Sequence, residues 1–377
     1  MMFLPSNSDG QADNSELDNT NISILTCRSG DELYTTFGHT AIRIFNPISK
    51  IDYVYNYGLF SFDTPNFYPK FMKGQLPYFL GAVKMKDFLR EYDSLHRSVF
   101  EQELILDNNQ KKKIIEFLIE NAKKENREYK YDFFFDNCAT RVIDVWNLAG
   151  DVSYEYNVEQ KTFRDLLKEN LRNLVWSDFG IDLVIGARAD RLTNRRDQMF
   201  LPQYVMSNLS SAIVDSSTPL SKPSHLVLDY EELDAKRKKK ALNWPLICTT
   251  LLLIITVLLN IFKPKIASFY NNAILILSGV LGLFLFFMWF GTNHGAVRDN
   301  WNVLWLNPII FIYLFAKNKL KSIVSYLYIL LLIISALNCL YTFLPQFFNL
   351  AFLPIILSTL VIMLKSGQPD KKNKLTV

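Results

Sequence analysis

The chain has 377 residues, 49% of them hydrophobic, with 41 Lys and Arg against 37 Asp and Glu and a formal net charge of +4. So even a balance gives no reason to expect a nucleic-acid partner, and the length allows two domains. Four cysteines without a C-x-x-C, with His39, His96, His225 and His294 scattered, argue against a zinc centre; no metal or other cofactor is expected.

Residues 1–20 form a polar, acidic N-terminus that reads as disordered. No apolar core of signal-peptide length is present there, although an exported domain of this size needs one, so the expectation is a true start farther upstream. Ile22 to Thr26, Thr40 to Phe45 and Ile51 to Tyr57 alternate as strands, the last two joined by a turn at Asn46, Pro47 and Ile48. A hairpin centred on Ile48 sets His39, in FGHTAIRIF, opposite Tyr57, and puts Arg43 on the face of His39. A one-residue slip would exchange Tyr57 for Asn56 as the group that orients the imidazole. Arg43 is either an ion-pair partner for a carboxylate such as Asp144 or a phosphate contact.

Phe60, Phe62, Phe67, Tyr68, Phe71, Tyr78 and Phe79, with Lys70 and Lys73 among them, could form a surface that rests in a membrane interface. Asp107 and Gln110 open a helix that buries Ile114, Ile115, Leu118 and Ile119. In DFFFDNCATRVIDVW, Asp136 and Asn137 are N-cap residues, and Cys138 starts a helix with Val142, Val145, Trp146 and Ala149 on one face, ending at Gly150. A thiol in the first turn meets the positive end of the helix dipole, which favours the thiolate, and a nearby imidazole favours it further. Cys27 reads as a packing residue; a Cys27 to Cys138 disulfide is possible by count but would disable the nucleophile.

A mixed segment follows from Lys161 to Ser211, then a basic linker over 212–241 that carries the run Lys236 to Lys240. That run is either a solubilising feature or a clamp on anionic headgroups. Apolar runs at 242–262, 273–290, 308–316, 323–340 and 347–364 give five expected spans, the third being the shortest, and 365–377 is the tail. With the N-terminal domain outside, nine basic residues of the connections and tail fall inside (Lys263, Lys265, Lys317, Lys319, Lys321, Lys365, Lys371, Lys372, Lys374) against six outside, Arg298 and the run before the first span. The outer loop 291–307 carries His294, Arg298, Asn300, Trp301 and Asn302, either an interfacial belt or a contact for a headgroup or acceptor.

Cysteine at a helix start, packed on a sheet that carries histidine, is the arrangement of papain-like enzymes, here with histidine first, as in circularly permuted members. FGH followed by NC resembles the lecithin:retinol acyltransferase group and, more distantly, NlpC-type cell-wall hydrolases. LTCRSGDELYTTFGHTAIRI, YNYGLFSFDTPNFYPKFMKGQLPYFL, FFFDNCATRVID and DFGIDLVIGARAD together resemble the Lnb-type N-terminal periplasmic domain. MFLPQYV and TNHGAVRDNWNVLWLNP, with the five-span tail, are similar to the membrane part of the same bacterial family.

The resemblance implies an α+β fold with a circularly permuted papain-like (NlpC-like) periplasmic catalytic domain over 21–211, including a membrane-proximal extension. An all-α domain of about five transmembrane helices over 242–364 would follow, in the inner membrane with a cytoplasmic C-terminus. It further implies an N-acyltransferase that moves an acyl chain from phospholipid to the amino group of the lipid-modified N-terminal cysteine of lipoproteins.

A thioester suits that chemistry because it forms and leaves easily. Cys138 would be the nucleophile, His39 the base, and backbone N–H groups beside Asn137 the oxyanion donors, with Asn56 or Tyr57 orienting the ring. Arg43, His294 and Asn300 are the candidate headgroup or acceptor contacts. A cysteine peptidase or amidase acting on peptidoglycan, and a non-enzymatic lipid-binding assembly protein, remain the alternatives.

Overall fold

The computed structural model describes residues 14–154, 158–215, 218–237 and 239–366. By packing, the chain forms two interleaved units: one holds residues up to Asn173 and again Leu192–Lys240, the other Leu174–Arg191 and the chain from Ala241 onward. The first is sheet-rich and the second helical.

In the N-terminal unit, α1 (Asn14–Asp18) is followed by β1 (Asn21–Cys27), β2 (His39–Asn46) and β3 (Ile51–Leu59). Then come α2 (Phe67–Met72), β4 (Pro77–Lys84), α3 (Met85–Ser94), β5 (Val99–Glu103), α4 (Asn108–Asn121), β6 (Glu128–Lys130), α5 (Cys138–Trp146) and α6 (Phe163–Asn170). The antiparallel sheet runs His225–Leu228, β5, β1, β2, β3, β4, β6. Both faces are covered. Ile22, Ile24, Ile42 and Ile44 pack under α4 and α5 with Ile114, Leu118, Val142 and Trp146. Leu25, Cys27, Ala41 and Val54 pack under α3 with Met85, Phe88 and Tyr92. The period-two alternation of β1 and β2 thus divides between two cores rather than between core and water, which is why both strands are buried almost throughout.

Three sequence-based boundaries change. Residues 14–20, expected to be disordered, include α1, held by buried Leu17 and by Asn46 Nδ2 donating to Glu16 O (3.0 Å); the remainder of that N-terminal stretch lies outside the described residues. The 212–241 segment is more than a linker: His225–Leu228 pairs with the open edge of β5, and Glu231–Arg237 is helical. The edge of β5 offers unpaired N–H and C=O groups, and this segment covers them. Arg237 is ion-paired with Asp31 (2.8 Å) and Asp234 (3.1 Å), so this member of the basic run is not a free lipid clamp.

The third change concerns two quoted strings, which exchange places. DFGIDLVIGARAD, expected in the N-terminal domain, lies in the C-terminal unit as α7 (Val175–Val184) and the turn that follows it. There Gly186 N donates to Ala296 O and Ala187 N to Asp299 O, both at 2.9 Å, and Arg188 pairs with Asp299 (3.0 Å). A Cβ on Gly186 would fall 1.9 Å from Arg298 O, so only glycine permits this approach. MFLPQYV, expected with the membrane part, belongs instead to the N-terminal unit, where Met199 and Val205 join the core under α5.

Three helices of the C-terminal unit are long and apolar enough to cross a membrane: Trp244–Phe262, Pro264–Gly291 and Asn318–Tyr341. The runs expected as third and fifth spans form shorter helices, Ile309–Phe315 and Leu353–Ser366. At 1.5 Å per residue, the 14 residues of the latter reach only about 21 Å of a roughly 30 Å hydrocarbon core. Between the first two spans, Asn260 and Asn271 exchange amide hydrogen bonds (3.0 and 3.1 Å), and Thr256 Oγ1 and Tyr270 Oη lie 2.8 Å apart, fixing the register of the pair.

Candidate active site

Asn137 builds the start of α5. Its Oδ1 accepts from Ala139 N (2.8 Å) and Thr140 N (2.9 Å), Thr140 Oγ1 accepts from Asn137 N, and its Nδ2 donates to Phe133 O (2.9 Å) and Phe200 O (2.8 Å). Every polar atom of this side chain is thereby engaged in holding the helix, which leaves none for an oxyanion. Such a cap stabilises by about 1 kcal/mol, and here it also fixes where the next residue points. That residue is Cys138, half-buried and free, as is buried Cys27.

Cys138 and His39 line one cavity of about 330 Å³ whose walls are largely apolar, including Phe60, Tyr78, Tyr131, Phe133, Phe200 and Pro202. His39 begins β2, at the end of the sheet over which α5 starts. Gly38 before it has φ +80, and a Cβ there would lie 2.8 Å from Cys27 O, so the entry to the strand requires glycine.

The side chain that faces the imidazole is Asn56. The hairpin register pairs Ile42 with Tyr55 and Arg43 with Val54, one residue away from a hairpin centred on Ile48. The shift puts Asn56 on the face of His39 and turns Tyr57 to the other core, where its hydroxyl donates to Asn121 Oδ1 (2.7 Å). Asn56 is 5% exposed; its Nδ2 donates to Val54 O (3.3 Å), which leaves Oδ1 facing His39 Nε2 at 3.1 Å. An amide oxygen only accepts, so Nε2 carries the proton and Nδ1 keeps its lone pair. The imidazole is thereby held in one tautomer, with Nδ1 free to accept.

Burial governs both ionisations. It lowers the His39 pKa to about 4, against the opposing effect of the hydrogen bond that the ring donates to Asn56, so the imidazole is neutral at pH 7. It also raises the Cys138 thiol above its ordinary value, although N–H groups of Thr40, Ala139 and Cys138 face the sulfur and pull it down. The helix-start effect expected from the sequence is present, but desolvation outweighs it. The resting pair is therefore neutral thiol and neutral imidazole. Cys27, pushed up to about 12 by burial and stacked beside the site in β1, is a packing residue. Accordingly, iodoacetamide labelling of Cys138 stays slow at pH 6 and climbs as the pH approaches and passes the ordinary thiol value; a labelling curve with its midpoint below pH 7 would contradict the neutral pair.

Tyr57 keeps a place in the lining of this cavity, but Arg43, Asn300 and His294 do not. Arg43 is held by Asp52 (2.7 Å) and Glu101 (3.0 Å), not Asp144, which pairs with Arg196 (2.6 Å). Two carboxylates neutralise its guanidinium, so it is not a phosphate contact. Asn300, 1% exposed, belongs to the C-terminal unit and donates to Leu183 O (2.9 Å) and Val184 O (2.8 Å), closing the end of α7. It has no capacity left for a headgroup. His294 lies half-buried in the same unit. The sequence reading missed Tyr131, Phe200 and Pro202 as walls of the cavity; the FFF and FLP strings beside them carried the aromatic signal but no direction. The patch around α2 is exposed, with Phe62, Tyr68 and Phe71 outward and Phe60, Phe62 and Phe67 in mutual ring contact.

Residues 9–169 match the family model of the Lnb N-terminal periplasmic domain, which takes in β1 to α6 and hence both Cys138 and His39. Residues 236–367 match that of the Lnb transmembrane domain. The chain belongs to the Lnb-type family. It is a membrane protein with a periplasmic N-terminal domain, and the two motifs that exchange units, 174–191 and 199–205, fall between the two matched regions of this Lnb-type chain. No curated protein and no solved structure matches it.

Proposed function

We propose that this Lnb-type protein is a lipoprotein N-acyltransferase that works through a thioester on Cys138. The observation that carries the reading is a half-buried thiol at a capped helix start, in an apolar cavity that also holds His39, whose tautomer Asn56 sets. In the first step His39 Nδ1 takes the thiol proton as sulfur attacks a phospholipid ester carbonyl. The ester C–O bond then breaks, and the lysophospholipid leaves as an alcohol with the proton from the imidazolium. In the second step the amino group of a lipid-modified cysteine attacks the thioester, His39 takes a proton from it, the C–S bond breaks and the amide forms with the thiol restored. The Cys138 N–H, left when the Asn137 amide takes the next two, is the oxyanion donor offered by the helix start.

The apolar walls suit an acyl chain and keep water from the thioester, whereas a peptidoglycan amidase would need a polar groove. Donor and acceptor are both membrane-anchored, which accounts for joining this domain to the apolar helices. We read all five apolar runs as the anchor, in the inner membrane with the C-terminus cytoplasmic, and the N-terminal domain as a permuted papain-like fold, on the strength of histidine on a strand preceding cysteine on a helix. The exposed rings around α2 would rest in the interface.

Intact-mass spectrometry after incubation with phospholipid tests the reading. An acyl-sized addition appears on Cys138, disappears with hydroxylamine, and is matched by released lysophospholipid. A preparation that acylates lipoprotein while never showing the adduct would remove covalent catalysis from consideration.

A further inference from the structure

A second cavity of about 220 Å³ in the N-terminal unit takes no part in the steps above. Phe37, Gly38 and Pro202 line both it and the thiol cavity, so the two share a wall. Their chemistries differ. Where the thiol cavity is apolar, this one is lined by Arg28, Ser29, Asn170, Arg172 and Gln203 and by the charged side chains Glu169, Asp234 and Arg237.

The carboxylates of the lining are already engaged. Glu169 is already bonded to Lys161 (2.7 Å) and accepts from the Tyr204 hydroxyl (2.9 Å). Asp234 is bonded to Arg237, which Asp31 also holds. What remains is two guanidinium groups. Arg28 lies 4.8 Å over the Phe100 ring with no carboxylate partner among the described residues, and exposed Arg172 has none there either. A planar guanidinium with unused donors is suited to phosphate, which it can hold by paired hydrogen bonds.

We propose that this pocket binds the phosphate of the acyl donor, with Arg28 and Arg172 as its cationic partners, while the ester lies at Cys138 across the wall formed by Phe37, Gly38 and Pro202. The assignment rests on the thioester reading above. Ester and phosphate of one phospholipid hang on the same glycerol, so the subsites for them must adjoin, one apolar with the nucleophile and one cationic. The chemistry recognised is a phosphate group, which a lipid headgroup or free phosphate could supply.

The test uses the full chain in detergent micelles and follows the Cys138 adduct by intact mass, with phosphatidylglycerol or with diacylglycerol of the same acyl chains as donor. The wild type favours phosphatidylglycerol. In Arg28→Gln/Arg172→Gln the ratio of the two initial rates falls at least tenfold, and Arg172→Lys, which keeps the charge, retains most of it. Equal rates from the two donors in the wild type, or a ratio that survives in the double variant, overturns the pocket and leaves the thioester standing. A wild type that forms no adduct with either donor overturns the thioester reading and the pocket with it. In a further arm, inorganic phosphate slows wild-type acylation by phosphatidylglycerol through competition. Phosphate that raises the melting temperature of the wild type without slowing that reaction marks a free-phosphate site and overturns the headgroup assignment. Arg172→Gln alone, at an exposed position, guards against a packing defect at Arg28, and its ratio falls severalfold.

Discussion

His39→Ala lowers the rate of Cys138 acylation by about a hundred- to ten-thousandfold, the range for loss of a positioned general base. The prediction is large because burial leaves the thiol protonated, so no standing thiolate is available to fall back on. Asn56→Ala costs less, since the ring remains but its tautomer and orientation are no longer imposed. Combined with His39→Ala it adds almost nothing, because Asn56 acts only through the imidazole. Rates of adduct formation in the two single variants and the double variant check this. Full additivity would mean that Asn56 acts elsewhere, and an unchanged rate in His39→Ala would remove His39 from the mechanism. With the His39 pKa at about 4, acylation by the wild type persists as the pH falls from 7 towards 5 and fails only as the imidazole takes up its proton near 4. An acid limb centred on the ordinary histidine value, 6.5, would contradict the buried, neutral base.

Asn302→Ala has the largest expected effect on stability. Asn302 is fully buried, donates to Asp182 O (3.1 Å) and Leu183 O (3.0 Å), and accepts from Trp305 Nε1 (3.0 Å). Leu183 O keeps Asn300 as a partner, but the buried indole N–H of Trp305 loses its own. An orphaned buried donor costs about 1–3 kcal/mol, and the cavity left by the amide adds to that. A thermal melt of the full chain in detergent reads this as a drop of several degrees. A melting temperature within a degree of wild type would mean that water replaces the amide and that this polar cluster is not the clasp it resembles.

Much of the site could be read from residue order. Asn137 before Cys138 is a cap followed by a first-turn thiol, and no long-range contact is needed to recognise it, because a capping box closes within four residues. The strand that carries His39 was legible from its alternation, which is likewise local. The orienting residue was beyond that reach. Choosing between Asn56 and Tyr57 depended on a one-residue register, which hairpin turn geometry and the two cores decide together, since both faces of β3 are buried and apolar alternation gives no preferred side. Arg43 was equally open, because an arginine on a strand looks the same whether it awaits a ligand or sits between Asp52 and Glu101, the latter distant in sequence on β5.

The amino-acid sequence by itself determined what depends on composition and short spacing: the division into a mixed and an apolar half, the strands around His39, the capped cysteine helix and the family strings. Tertiary structure alone decided what depends on packing between distant segments. It placed the IGARAD string against the loop at Ala296 and Asp299, brought the FLP string to the wall of the thiol cavity, and showed Asn300 to be a helix clasp rather than a ligand. It also set the resting state of the Cys138 thiol. A helix start favours thiolate wherever it occurs, but the competing desolvation is a property of everything folded around Cys138, and here it prevails.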